Sequence, residues 1–211
     1  TRIVSPWAKS FTALDLNTAE LAGSKLSEFD NVHIVEADLA LYKTEDRFDM
    51  IYCIGVIHHT DSPEITFENL TNLCKPDGVI LIWCYSEEGN TLVRYIVEPL
   101  RKIFLRNRSR KFIDTLSTLL TASMYPIVHT LYRLPLPFLP FYEYFDNFRN
   151  LSFKRNVLNV FDKLNAPQTD FISRKRIENW FNENDFYDVR IEAYKGVSWR
   201  ASGRLKDKTD V

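Results

Sequence analysis

Three small residues follow apolar segments at positions where a ligand could bind. Asp15 ends the first apolar run, and its carboxylate could accept hydrogen bonds from both hydroxyls of a ribose. An ordinary strand-end or helix-capping aspartate is the alternative. Asp38 follows the second run and could accept from an adenine amino group, although aspartate is also common in loops. Gly55 ends the third run, where the missing side chain permits close approach of a ligand.

Two adjacent histidines, His58 and His59, come directly after the third apolar run and shortly before Asp61. Adjacent imidazoles usually diverge and no third ligand cluster lies nearby, so we predict no metal site. A histidine at this position could act as a general base, since its pKa lies near working pH. Packing against a ligand or capping of the next helix is the alternative.

Short apolar runs alternate with helical patterns in the first eighty-odd residues and again near the end of the chain. Asn17, Ser62 and Ser173 are predicted N-caps, and Pro63 suits a first helical position. The alternation predicts an α/β fold with a mostly parallel sheet and a C-terminal antiparallel hairpin. The predicted strands are 11–16, 32–35, 48–57, 79–85, 189–194 and 197–205.

Composition limits the class of protein and its partners. The 211 residues are 45% hydrophobic and 26% charged, which excludes a disordered, collagen-like or simple coiled-coil chain. The net charge of −1 gives no global electrostatic case for nucleic-acid binding. Cys53, Cys74 and Cys84 lie in apolar runs, which favours buried reduced thiols and a cytoplasmic location.

The segment 91–170 interrupts the alternation and is predicted to be a helical cap inserted into a core formed by 1–90 and 171–211. Its uncharged stretch 115–132 contains Pro126 and His129, so a buried or interfacial helix pair is favoured over a membrane span. Aromatic side chains of the cap are expected to line an acceptor site, with a dimer interface as the alternative. They are Tyr142, Tyr144 and Phe145.

A basic run, 101–111, holds six Lys and Arg residues and no acid. Such runs commonly form solvated helix ends. The alternative is a phosphate site, which would suit a phosphorylated, nucleotide-linked or lipid-linked small molecule.

Several of these segments, taken in order, resemble the class I S-adenosylmethionine-dependent methyltransferases that act on small molecules, the type 11-like group. The resemblance covers residues 11–85 and, through the last helix and hairpin, 173–205. The segments that carry it are ALDLN at 13–17, EADL at 36–39, FDMIYC at 48–53, GVIHH at 55–59 and LCKPDGVI at 73–80. It implies a Rossmann-like fold with S-adenosylmethionine as cofactor.

The resemblance also implies roles for individual residues. Asp15 would hold the cofactor ribose with Leu16 beside the adenine, and His58 and His59 would face the substrate. The adenine would be bound by Asp38 and Leu39, and the methionine part would be lined by Ile54 and Gly55.

The family's first strand and glycine-rich loop precede its ribose-binding acid, whereas only Thr1 to Ser10, without a glycine, stand before the first strand here. We therefore expect the chain to begin after that loop. The favoured function is methyl transfer to a small-molecule acceptor, with a hydroxyl oxygen preferred and His59 placed ahead of His58 as base. A non-catalytic Rossmann-like binding module and a nicotinamide enzyme are the alternatives; the histidine pair and the hairpin favour methyl transfer.

Overall fold

The computed structural model describes residues 1–105, 107–166 and 168–207. It confirms the α/β class and the antiparallel C-terminal hairpin. The strands are β1 (Phe11–Asp15), β2 (Val32–Glu36), β3 (Phe48–Ile54), β4 (Cys74–Tyr85), β5 (Phe186–Tyr194) and β6 (Ser198–Leu205). The α-helices are α1 (Ala19–Leu26), α2 (Pro63–Leu73), α3 (Glu98–Phe104), α4 (Arg110–Thr130), α5 (Tyr142–Arg149), α6 (Phe153–Asn165) and α7 (Arg174–Trp180).

The strands form two sheets. β1 pairs with β2 in parallel, and the second sheet has the order β3-β4-β6-β5, with β3 and β4 parallel and β6 antiparallel to both of its neighbours. The rings of Phe11 in β1 and Tyr52 in β3 lie 5.8 Å apart, so the two sheets meet through their side chains. In each parallel pair the carboxyl ends of the two strands lie at the same edge of that sheet, and Asp15, Asp38 and Gly55 lie at or just after these ends.

Helices α2 and α7 cover one face of the larger sheet through an aromatic cluster. The rings of Phe67 and Trp180 stack at 5.3 Å, and Phe67 meets Phe181 at 4.8 Å. These side chains are buried together with Leu70 and Ile177, as their helical spacing predicts. This core fixes the sheet that carries the site.

Local signals set most helix starts. Ser62 and Ser173 accept hydrogen bonds from the backbone N–H groups three residues on, as predicted. The prediction for Asn17 was wrong: Thr18 is the N-cap residue of α1, and the Asp15 carboxylate accepts from the N–H groups of both Asn17 and Thr18. The negative charge of Asp15 is the stronger acceptor for these N–H groups.

The segment 75–78 contains proline, aspartate and glycine, which are typical of a turn, but it lies inside β4. The strand begins at Cys74, and its register against β3 shifts between Phe48 and Met50, where Asp77 takes a φ of 61°. Between the paired positions β4 therefore has four residues where β3 has one, so the segment forms an irregularity in the pairing. The three cysteines are free and buried, as predicted.

The helices between residues 91 and 165 occupy the segment interpreted as a cap. Two short segments join them, a π-helical turn (Val93–Val97) and a 3₁₀ turn (Leu131–Arg133). The long helix α4 carries Pro126 inside it and packs against α6. Within the described residues no helix has the length and hydropathy needed to cross a membrane.

Candidate active site

Asp15 and Asp38 lie at the same edge of the small sheet. Asp15 pairs with Glu36 across the strands, and the Ala37 N–H donates to the Asp15 carbonyl at 3.1 Å. The Asp38 carboxylate accepts from the Ala40 N–H at 2.8 Å. Since the loops after β1 and β2 are joined in this way, the two acids lie at neighbouring strand ends.

The Asp15 carboxylate is held in place by its own loop. Its Oδ1 accepts from the Asn17 N–H at 2.9 Å and from the Thr18 N–H at 2.6 Å. Burial would raise the pKa of Asp15, but these N–H donors outweigh burial and lower it below its usual value, so the group is ionised at neutral pH. A carboxylate has about four acceptor positions, which leaves capacity for hydroxyl donors of a ligand.

Apolar side chains are exposed around these acids. Leu16 is 56% exposed, Ile54 at the end of β3 is 57% exposed, and Val56 is 46% exposed. Leu39 instead packs against the core, and its carbonyl accepts from the Asn69 amide at 2.8 Å. Apolar side chains beside fixed acids are the lining expected of a cofactor site.

Gly55 connects β3 to the histidine pair with a φ of +76°. Its N–H donates to the Trp83 carbonyl at 2.9 Å, and an added Cβ would lie 3.6 Å from the Trp83 ring. Space therefore permits a side chain, but the left-handed backbone favours glycine.

We expect Gly55→Ala to lower the free energy of unfolding by about 1–2 kcal/mol, because an L-residue is strained at this φ. Urea denaturation measures the change. Gly23→Ala is the matched control: Gly23 lies inside α1 with nothing within 4 Å of an added Cβ, so alanine should not destabilise the helix. Equal stability of Gly55→Ala and wild type would contradict the strain argument.

His58 and His59 lie on a short 3₁₀ turn, Ile57–His59, rather than at the end of a strand. His58 is buried, and its ring packs 4.5 Å from the Tyr85 ring and 4.1 Å from the His59 ring. Burial and the neighbouring His59 lower the pKa of His58 to about 3. His58 is therefore neutral at physiological pH, and both of its ring nitrogens lack a hydrogen-bond partner among the described residues.

His59 has a defined partner. Its Nδ1 lies 2.7 Å from the Gln168 carbonyl oxygen, which can only accept, so Nδ1 carries the proton and Nε2 keeps its lone pair. The Gln168 side chain donates back to the His59 carbonyl at 3.2 Å and to Asp61 at 2.8 Å. Burial lowers the pKa of His59, and the Gln168 contact partly opposes it. Gln168 thus sets the tautomer that a base at Nε2 requires.

A tyrosine–lysine cluster adjoins the histidines. The Lys163 ammonium lies 5.3 Å from the ring centre of Tyr85 and 4.4 Å from that of Tyr144, and it donates to the Tyr144 hydroxyl at 3.2 Å. Tyr85, the last residue of β4, also meets the His59 ring at 6.2 Å. The cluster joins helices α5 and α6 to the carboxyl end of β4.

The three predicted acceptor-lining aromatics belong to one group of ring contacts, in which the Tyr144 and Phe145 rings lie 5.3 Å apart and Tyr132 contacts both Tyr142 and Phe145. Tyr144 belongs to the tyrosine–lysine cluster. Phe145 packs on Tyr132 at 4.7 Å, and the Tyr142 hydroxyl donates to the Leu134 carbonyl at 3.1 Å, both within the helical segment. Through Lys163 and Tyr85, Tyr144 is connected to the carboxyl end of β4, and Phe145 lies next to Tyr144. The role of all three toward an acceptor stays a prediction.

Sequence reasoning missed Gln168, Lys163 and Tyr85. Gln168 reaches His59 across 109 residues of sequence, so no local pattern could reveal the contact. In the sequence, Lys163 resembles any lysine near the end of an amphipathic helix, and Tyr85 is simply the last residue of an apolar strand. In the described part of the chain, no group of three His, Cys, Asp or Glu side chains is placed to hold a metal ion.

Residues 4–80 match the family model of a methyltransferase domain. An uncharacterised protein of Synechococcus sp. is 29% identical over 97 residues, which are 42% of this chain and 23% of that protein. The (S)-coclaurine N-methyltransferase of Papaver somniferum is 31% identical over 52 residues, 25% of this chain and 15% of that enzyme. The chain thus spans less than a quarter of the length of these relatives.

The fold is also similar to that of solved structures. An O-methyltransferase family protein from Burkholderia thailandensis matches with a TM-score of 0.52 at 12% identity, over 94% of this chain and 44% of that one. At this identity the match concerns the fold alone. The chain therefore contains a segment, 4–80, that is similar to a methyltransferase domain, and its fold is similar to that of an O-methyltransferase family protein.

Proposed function

We propose that this chain catalyses methyl transfer from S-adenosylmethionine to a small-molecule acceptor, with a hydroxyl oxygen as the favoured methyl-accepting atom. Two observations carry the proposal: ionised Asp15 lies beside exposed Leu16 at the end of β1, and His59 lies beyond the end of β3 with its Nδ1 hydrogen placed on the Gln168 carbonyl. The family match favours an enzyme over a non-catalytic binding module.

The residues present fit the cofactor. Asp15 would accept from the ribose hydroxyls, while Asp38 and the Leu39 N–H would bind the adenine. Exposed Leu16 and Ile54 would cover apolar parts of the molecule, and Gly55 leaves room at the strand end. When bound, S-adenosylmethionine supplies a methyl group on a positively charged sulfur.

The chain's own contribution is alignment and proton removal. The His59 Nε2 would take the proton of an acceptor hydroxyl, and the Gln168 carbonyl would stabilise the resulting imidazolium through Nδ1. Tyr85 and Tyr144 would orient the acceptor through their hydroxyls and ring faces. Positioning of the two reactants is itself a large part of such catalysis.

Lys163 supports an acceptor that carries an anionic group. Burial lowers the pKa of Lys163, but Tyr144, Tyr85 and Asp162 outweigh burial and raise it, so the side chain is an ammonium at neutral pH. Within the described residues its recorded contacts are a hydroxyl and two ring faces, with no carboxylate in an ion pair. A partly buried cation of this kind suits a carboxylate or phosphate on the acceptor.

The proposed function is tested on the full-length protein by titration calorimetry with S-adenosylmethionine, followed by transfer of a labelled methyl group to hydroxyl compounds with and without an acidic group. Saturable cofactor binding with transfer supports the enzyme. Binding without transfer to any acceptor favours the non-catalytic module, and no binding rejects both the cofactor assignment and the proposed reaction.

We expect Lys163→Met to raise the KM for an anionic acceptor about tenfold, because one charge-assisted hydrogen bond is lost. Cofactor affinity and melting temperature should stay near the wild-type values, since no partner carboxylate is left unpaired. Lys154→Met, which removes an exposed lysine from the same helix, is the matched control. A fall in melting temperature with unchanged KM would show a structural role instead.

A further inference from the structure

The helix that spans residues 91–104 exposes its apolar face and buries charged side chains, the reverse of an ordinary surface helix. It consists of the π-helical turn Val93–Val97 and α3, with one helical residue pair before them. Large apolar side chains recur at i, i+3, i+4, i+8, i+11 and i+12, the spacing of one helix face. All of them are at least 50% exposed: Leu92, Tyr95, Ile96, Leu100, Ile103 and Phe104. We call this set the apolar stripe.

The opposite face of the same helix holds charge in the interior. Glu98 is 8% exposed and Arg101 5% exposed, and they form a two-pronged ion pair with Nε–Oε1 and NH2–Oε2 distances of 3.1 and 2.6 Å. Bidentate pairs of this kind are strong and directional. The burial of both side chains shows that this face of the helix packs against the protein, so the apolar stripe lies on the outward face.

Basic side chains border the apolar stripe. Arg108 is exposed and donates to the Phe104 carbonyl at 3.3 Å, which holds it beside the stripe, and Lys111 is exposed three residues further on. We call these two residues the basic border. Lys102 faces the side of Glu98 and Arg94, and the Arg110 guanidinium lies 5.6 Å from the centre of the Phe161 ring. Glu98, already paired and buried, is the sole acid between residues 91 and 113. Arg106, also in the predicted basic run, lies outside the described residues. The surface is thus apolar and positively charged, with no exposed carboxylate in this stretch.

We propose that the apolar stripe and its basic border bind the surface of an anionic lipid bilayer, with the helix lying in the plane of the interface. Interfacial helices combine an exposed apolar face with Lys and Arg that attract anionic headgroups. Tyr95 and Phe104 are aromatic side chains of the kind that insert at this depth. The proposal does not depend on the methyl-transfer function.

The positive charge of the basic border favours an anionic bilayer, rather than a second copy of the chain, as the partner of the apolar stripe. A two-fold dimer through the stripe would present the same patch on both subunits. It would therefore bring two basic borders toward each other, and like-charge juxtaposition across an interface is costly. An anionic bilayer satisfies the apolar stripe and the basic border together.

The test is sedimentation of the full chain with vesicles of phosphatidylcholine alone and of phosphatidylcholine mixed with phosphatidylserine. We expect binding to the mixed vesicles, weakened by salt. Ile103→Glu should reduce the partition coefficient at least about tenfold, because a large apolar group is removed and a negative charge added. Arg108→Gln with Lys111→Gln should reduce it about thirtyfold, at roughly fivefold for each charge.

Two controls keep the experiment specific. Ile65→Glu replaces an equally apolar side chain, 53% exposed on α2, and Lys43→Gln with Lys175→Gln removes two exposed cations elsewhere. Neither should change the partition. Equal effects of test and control variants, or equal binding to neutral vesicles, would overturn the proposal. The proposal would also be overturned if the chain did not bind vesicles and instead formed a dimer in analytical ultracentrifugation that Ile103→Glu converts to monomers.

Discussion

Replacement of His59 by alanine is expected to lower kcat for a hydroxyl acceptor by about 10²–10⁴, the usual contribution of a positioned general base. The reason is geometric: the Gln168 carbonyl, 2.7 Å from Nδ1, leaves Nε2 as the proton acceptor. The affinity for S-adenosylmethionine should change little, because the proposed cofactor contacts come from the ends of β1, β2 and β3. Steady-state kinetics and calorimetry on the same preparations measure both quantities.

The pH profile provides a second readout for His59. A neutral imidazole is required, so the rate should fall as the pH drops through the pKa of His59. Burial lowers that pKa from the ordinary 6.5, with the Gln168 contact opposing, so the acidic limb should lie below pH 6.5. His59→Ala should abolish this limb.

His33→Ala, at an exposed histidine of β2, is the matched control for His59→Ala and should leave both kcat and the acidic limb unchanged. A rate for His59→Ala within a few-fold of wild type would reject the base role. Such a result fits an acceptor that needs little help from a base, and it leaves the fold and the cofactor site unaffected.

The sequence predicted the elements whose signals are local. Apolar runs revealed the strands, and Ser62 and Ser173 revealed helix starts, because a cap needs only a side chain and an N–H group three residues away. The prediction failed where residues compete. The Asn17 N–H donates to Asp15 and α1 begins after Thr18, so Asn17 does not cap the helix. The segment 75–78 lies inside β4 because pairing of β4 with β3 extends back to Cys74.

The candidate site was predictable only in part, for the same reason. Asp15, Asp38 and Gly55 sit at strand ends, which a sequence pattern can locate. The partners that define the chemistry are distant in the sequence. Gln168 lies about a hundred residues from His59, and Lys163 lies nearly eighty residues from Tyr85. The exposed apolar stripe on the helix at 91–104 was not predictable either, since the periodicity of a helix reveals an apolar face but not whether that face is buried.

Replacement of Asp15 by asparagine is expected to weaken S-adenosylmethionine binding by about 2–3 kcal/mol, roughly 30–150-fold in Kd, because a charged acceptor for the ribose hydroxyls is lost. Asparagine keeps one side-chain oxygen, which can still accept from the Asn17 and Thr18 N–H groups at the position of Oδ1. The variant therefore separates cofactor binding from the local structure of the loop. Titration calorimetry measures the Kd, and urea denaturation checks that stability is retained.

Asp15→Ala completes the comparison, because it removes the loop contacts together with the ligand acceptor. If Asp15 serves both purposes, Asp15→Ala should lose cofactor affinity to at least the same degree and also lose about 1 kcal/mol of stability, because two backbone N–H groups lose their acceptor. If Asp15 only closes its own loop, Asp15→Asn should bind the cofactor as wild type does while Asp15→Ala is destabilised. Unchanged affinity in Asp15→Asn would thus reject the ribose assignment, whereas the fold established by the sheets and the family match would stand.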